Sequence, residues 1–127
     1  MTPSELFEQV VETVPAFDAV RTEHLDDNDE LLAHLLMADL LRFVGLAFGQ
    51  ANTLGVTFAP PSRKDVSEIL DILERGLTAG NPETENAIAV SFVEDIETEP
   101  FFPELEPLLG PRVRTELQRQ RDWHGSA

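Results

Sequence analysis

Helix boundary signals recur so closely along this chain that little except helices fits between them. Thr2 and Glu5 have the spacing of a capping box, and Pro3 falls at the first helical position, where a missing N–H costs nothing. The helix they open runs to about Val14, with Leu6, Val10 and Val14 on one face, and Pro15 ends it. A short helical or turn-rich stretch follows through Phe17 and Val20 into Asp26-Asp27-Asn28-Asp29. Asp29 reads as the cap of the next helix, Glu30 to about Ala51, the longest and most apolar of the chain.

Gly49 to Pro61 reads as a loop punctuated by Gly55 and Pro60-Pro61, and Val56-Thr57-Phe58 has strand character but nothing to pair with. Ser62 and Asp65 open an amphipathic helix with Val66, Ile69, Leu70, Leu73 and Leu77 on its stripe and Asp65, Glu68, Asp71 and Glu74 away from it. Gly80 stands where a helix ends, and Asn81-Pro82 starts another at once. That helix, through Ile96, carries Ala87, Ile88, Ala89, Val90, Phe92 and Val93, apolar on almost every side. After the Phe101-Phe102-Pro103 turn and Leu108-Leu109-Gly110, Pro111 opens a last basic helix ending near Trp123. The expected fold is all-α: one domain over residues 1–127, a bundle of five or six helices with a central buried helix near 84–96.

Charge bounds the partners. The chain has 24 Asp and Glu against nine Lys and Arg, a net charge of −15. Residues 1–110 hold 22 of the acids and five of the bases, a local charge of −17, while Arg112, Arg114, Arg119 and Arg121 follow Gly110. Such a field draws in basic partners and repels polyanions, which argues against phosphate-mediated nucleic-acid binding. The C-terminal arginines read as neutralising the acidic body. Cysteine is absent, so there is no disulfide framework, thiolate nucleophile or Cys-ligated metal. The N-terminus lacks the basic and apolar regions of a signal peptide, and no apolar run approaches the roughly 20 residues of a membrane span. A cytoplasmic protein without membrane contact is the expectation.

Little in the sequence points to catalysis. The three histidines are the natural acid–base candidates. Glu30 and His34 stand at i,i+4 on the expected helix, but a zinc site needs three or four ligands and only His24 is near. Asp39 projects into the apolar arc of Leu32, Leu35, Phe43 and Leu46, with Arg42 at i+3 to pair with it. This pair reads either as a structural ion pair or as the edge of a ligand pocket that would also include His34. The serines (Ser4, Ser62, Ser67, Ser91, Ser126) sit at caps or on helices with no histidine nearby in sequence, and phosphate loops, nucleophile elbows and His-Glu-x-x-His are missing. No enzyme activity, cofactor or metal is expected.

Two acidic clusters remain. The first is Asp18, Glu23, Asp26, Asp27, Asp29 and Glu30, broken only by Arg21. The second is Glu94, Asp95, Glu97, Glu99, Glu104 and Glu106, centred on Phe101-Phe102 with no base inside it. Carboxylates around aromatics suit a steered interface, with charge for the on-rate and buried rings for the off-rate. The candidate partner-binding residues are therefore Glu94, Asp95, Glu97, Glu99, Phe101, Phe102, Glu104 and Glu106, with Asp26, Asp27 and Asp29. The competing reading is that the two phenylalanines only staple the loop to the core.

The stretch Glu85-Asn86-Ala87-Ile88-Ala89-Val90-Ser91-Phe92-Val93-Glu94-Asp95-Ile96, followed by Leu108-Leu109-Gly110-Pro111, resembles a pattern in small acidic helical immunity proteins of bacterial polymorphic toxin and contact-dependent inhibition systems. Their pattern has Leu where this chain has Val93 and Asn where it has Asp95. The resemblance implies a role without catalytic residues: binding a cognate, basic toxin domain and blocking it by occlusion and charge complementarity. The alternatives are a DNA-mimic inhibitor of a nucleic-acid-binding protein, and a small ligand-binding or enzymatic helical domain with its pocket near Asp39 and Arg42.

Overall fold

The computed structural model describes residues 1–125, with side-chain surroundings for residues 1–123, so Ser126 and Ala127 lie outside the described residues. Those residues form one all-helical domain of seven helices, without a strand among them. The helices are α1 (Pro3–Thr13), α2 (Phe17–Asn28), α3 (Ala33–Gly45), α4 (Arg63–Ala79), α5 (Pro82–Ile88, widening to π geometry over Ala89–Val93 and ending at Glu94–Ile96), α6 (Phe102–Leu105) and α7 (Pro111–Gly125). The count exceeds the expected five or six because the stretch after Pro15 is a full helix and Phe102–Leu105 makes a turn of its own.

Three starts follow local chemistry. Thr2 Oγ1 accepts from the Glu5 N–H at 3.2 Å while the Glu5 carboxylate accepts from the Thr2 N–H at 3.0 Å. Ser62 and Asp65 repeat this reciprocal box at 3.0 and 2.9 Å, and Asn81 Oδ1 accepts from the Thr84 N–H at 2.9 Å. Each satisfies backbone donors that a helix start otherwise leaves to water.

The start of α3 departs from expectation. Asp29 is the C-cap of α2, in the left-handed region at φ 59°, and its N–H returns to the Leu25 carbonyl. Asp tolerates this conformation better than most residues. The chain then runs extended through Leu32, and α3 begins only at Ala33, so Glu30 lies before the helix and shares no helical face with His34. At the other end α3 tightens into a 3₁₀ turn, Leu46–Phe48, and stops at Gly49 with φ 88°.

Four phenylalanines run through the core of the first half. Phe7 of α1 stacks on Phe17 of α2 at 6.3 Å, Phe17 meets Phe43 of α3 edge-on at 5.1 Å, and Phe43 meets Phe58 of the loop at 5.3 Å. α5 touches α1, α3 and α4, and its π stretch reaches α3 and α7. Ala87, Ile88, Phe92, Val93 and Ile96 are buried. The helix is not apolar on almost every side, however: Glu83, Asn86, Val90 and Glu94 form an open face.

Gly80 ends α4 with φ −74° and ψ 154°, an extended conformation open to any residue. Its requirement for glycine is steric. A Cβ there would stand 2.2 Å from the Gly76 carbonyl oxygen and 3.0 Å from Thr84 Cβ.

Candidate functional site

Tertiary structure treats the two acidic clusters differently. Around the second, Arg121 of α7 reaches Glu97 at 2.7 Å and Glu106 at 3.7 Å, and Arg63 at the start of α4 pairs with Glu104. The cluster without a base in sequence thus acquires two in space. Glu94, Asp95 and Glu99 keep no ion pair among the described residues.

The aromatic centre of that cluster is not an exposed contact. Phe101 is 3% exposed, lies flat on Phe48 at 5.6 Å, and packs so closely on Gly45 that a Cβ there would meet its ring at 2.8 Å. Phe102 is half-buried against the core. Apolar area outweighs the surrounding carboxylates, so Phe101 closes the core.

In the first cluster, Arg21 binds Glu8 at 2.6 Å and Asp18 at 2.9 Å. Asp26, Asp27, Asp29 and Glu30 are exposed and Glu23 is half-buried, and none of these five has an ion pair among the described residues. They occupy the last turns of α2 and the connection to α3. Helix C-termini carry partial negative charge, so carboxylates there are each unfavourable by about 0.3–1 kcal/mol at low ionic strength. α2 has no basic residue in its last turn to offset them.

Beside these acids, α2, α3 and Thr53-Leu54 of the loop enclose a cleft of about 300 Å³. Val20, Leu35, Ala38 and Leu54 supply apolar lining, and Leu35 remains 54% exposed. The polar lining includes Glu23, Asp27, His24, Asp39 and Arg42. Val20, Glu23 and Asp27 recur at helical spacing, which aligns them on one face of α2. Asp39 and Arg42 pair at 2.8 Å, but the pair is not buried as a unit: the Arg42 side chain is 56% exposed against 24% for Asp39. Burial pushes the Asp39 carboxyl above its usual range, against the pull of Arg42.

The histidine of this cleft is His24, and the expected His34 is elsewhere. His24 is 5% exposed, and its Nε2 accepts the Leu32 backbone N–H at 2.9 Å, holding the connection against the start of α3. His34 points to the π stretch of α5, its Nδ1 at 2.8 Å from the Ser91 hydroxyl and its Nε2 at 3.5 Å from the Asn86 amide. Fifty-seven positions separate this serine from its histidine, so no local motif announces the pair. It is half of a nucleophile's equipment. The neighbouring groove of about 400 Å³ is lined by Asn86, Val90, Glu94 and Trp123 among others, but by neither Ser91 nor His34.

The π widening of α5 is held from outside, since the Gln120 side-chain amide of α7 donates to the Ala89 carbonyl at 2.9 Å. Among the described residues there is no group of three or more His, Cys, Asp or Glu placed to hold a metal ion, and no helix is long and apolar enough to cross a membrane. The His124 side chain is outside the described set.

No curated protein and no solved structure matches the chain. The model of a family described as a domain of unknown function, DUF7674, matches residues 7–124, and the chain belongs to that family.

Proposed function

We propose that this chain is a binding module that captures a basic protein domain and blocks it by occlusion, without chemistry of its own. A toxin domain of a bacterial polymorphic toxin system is the partner the sequence resemblance suggests, which would make this an immunity protein of the cytoplasm. The observation that carries the reading is the set of carboxylates at Glu23, Asp26, Asp27, Asp29 and Glu30, which have no ion pair among the described residues and are gathered at a helix end that disfavours them. An arrangement that opposes helix stability is relieved when a cationic surface docks on it. The second acidic cluster supports the reading less, because Arg63 and Arg121 already offset three of its acids.

Affinity capture from the native host, followed by binding kinetics with the captured protein, tests this. A basic partner whose association slows steeply with salt while its dissociation barely changes is the expected result. Association that is insensitive to ionic strength, or a nucleic acid as the captured species, refutes it.

A further inference from the structure

His24 carries a hydrogen-bond conflict whose resolution describes a ligand. A backbone N–H only donates, so the Leu32 N–H at 2.9 Å requires a bare lone pair on Nε2. The neutral imidazole therefore keeps its proton on Nδ1. The polar atom facing Nδ1 is the Asn28 side-chain nitrogen at 3.5 Å, which is itself a donor and already gives a proton to the His24 carbonyl oxygen at 2.8 Å. Turning the Asn28 amide over would set its oxygen against that carbonyl. The opposite tautomer is worse, since it drives an Nε2 proton against the Leu32 N–H. Nδ1–H thus has no acceptor among the described residues, on a residue that is 5% exposed and lines the cleft.

The same cleft is short of positive charge. Glu23 and Asp27 stand one helical turn apart with no ion pair among the described residues, and Arg42 is spent on Asp39. The apolar lining of the same cleft includes the exposed Leu35 of α3. Such a site asks for a cation, an aliphatic stem and a carbonyl oxygen, the three things that an arginine or lysine residue in an extended segment offers together.

We infer that the α2–α3 cleft is the docking site for a basic segment of the partner, with one Arg or Lys side chain lying over Leu35 between Glu23 and Asp27 and a main-chain carbonyl accepting from His24 Nδ1–H. This inference rests on the basic-partner reading and assigns it a place. The guanidinium or ammonium meets the Glu23 and Asp27 carboxylates on the α2 wall, and Asp39 of α3 adds a third. Arg42 turns outward to solvent as the incoming cation takes its share of Asp39.

The test uses the full chain, labelled with ¹⁵N, and a short acetylated, amidated Gly-Arg repeat peptide at low salt. Expected are shifts concentrated on the amides of Val20, Ala38 and Leu54 and on the His24 ring nitrogens, with affinity weakened about tenfold, or about 1.4 kcal/mol, by Glu23→Gln with Asp27→Asn. Glu94→Gln with Asp95→Asn, on the other acidic face, should change it less than about twofold. Both double variants remove carboxylate charges without changing side-chain shape, and melting midpoints no lower than the parent's confirm that they fold, with a rise expected for the α2 pair. Equal weakening by the two pairs, or shifts that leave His24 untouched, overturns the cleft while leaving general capture of basic partners intact. A peptide that binds nowhere on the chain refutes both.

Discussion

Replacing Phe101 with alanine separates a core residue from a contact residue. A fully buried Phe→Ala change costs about 3–5 kcal/mol, the sum of lost transfer energy and the cavity left behind. Phe101 belongs at the lower end. Its ring lies flat on Phe48 and against Gly45, yet it also lines a cleft with Arg42, Gln50, Ala51, Thr53 and Glu99, from which water can fill the vacated space. We expect a loss of about 3 kcal/mol, including about 0.5–1.5 kcal/mol for the stacked pair. Each kcal/mol moves the midpoint of a domain this size by about 3–5 °C, so the variant should melt roughly 9–15 °C lower. Phe102→Ala, at a half-buried position, should cost about 1 kcal/mol. Urea denaturation followed by far-UV circular dichroism measures both, and an unchanged slope shows that the reference state is the same. A Phe101→Ala loss below about 1 kcal/mol, with weakened partner binding by the folded variant, would refute the core assignment and restore the interface reading.

Three further outcomes are expected. Glu74→Ala should destabilise by about 1–2 kcal/mol in urea melts, because the Glu74 carboxylate accepts the Arg112 and Val113 N–H groups at the start of α7 at 2.9 and 2.7 Å. Asp39→Asn should gain stability relative to the parent as pH rises. Burial raises the Asp39 carboxyl above its unfolded value of about 3.9, so this group's contribution is full below that pH and is lost as pH climbs through the folded value. Urea midpoints compared at pH 3 and pH 7 check the sign, and a constant difference between the two proteins contradicts it. A double-mutant cycle on Asp39 and Arg42 should give a coupling below about 1 kcal/mol, the range of exposed ion pairs, because Arg42 is mostly in solvent; a coupling of several kcal/mol would place the pair in the core.

The order of elements was legible from residues a few positions apart. Thr2 with Glu5, Ser62 with Asp65, and Asn81 with Thr84 cap helices through bonds that span three residues, so the sequence contains both partners. The stripe of α4 was visible for the same reason: periodicity is a property of one segment, and Val66, Ile69, Leu70 and Leu73 are all buried. Where the local signal was ambiguous, reading by spacing failed. Asp29 has the chemistry of an N-cap and also tolerates the left-handed conformation, and only the chain's path past His24 made it the end of α2 instead.

What the cleft contains was decided wholly in three dimensions. The α7 start has Leu109-Gly110 where a capping side chain would stand, and its cap comes from Glu74, thirty-eight positions earlier in the chain. Gly110 makes room for that carboxylate, since a Cβ there would fall 2.5 Å from it. Arg121 and Arg63 turn a uniformly acidic segment into a partly neutralised one, while Glu23, Asp26 and Asp27 near the end of α2 have no ion pair among the described residues. Burial sorted the aromatics against their charged surroundings and put Phe101 inside. Capping and periodicity act over one or two helical turns, so a linear sequence carries them. Charge pairing, burial and the hydrogen-bond partners of His24 depend on which helices meet, and that is settled only when the core closes.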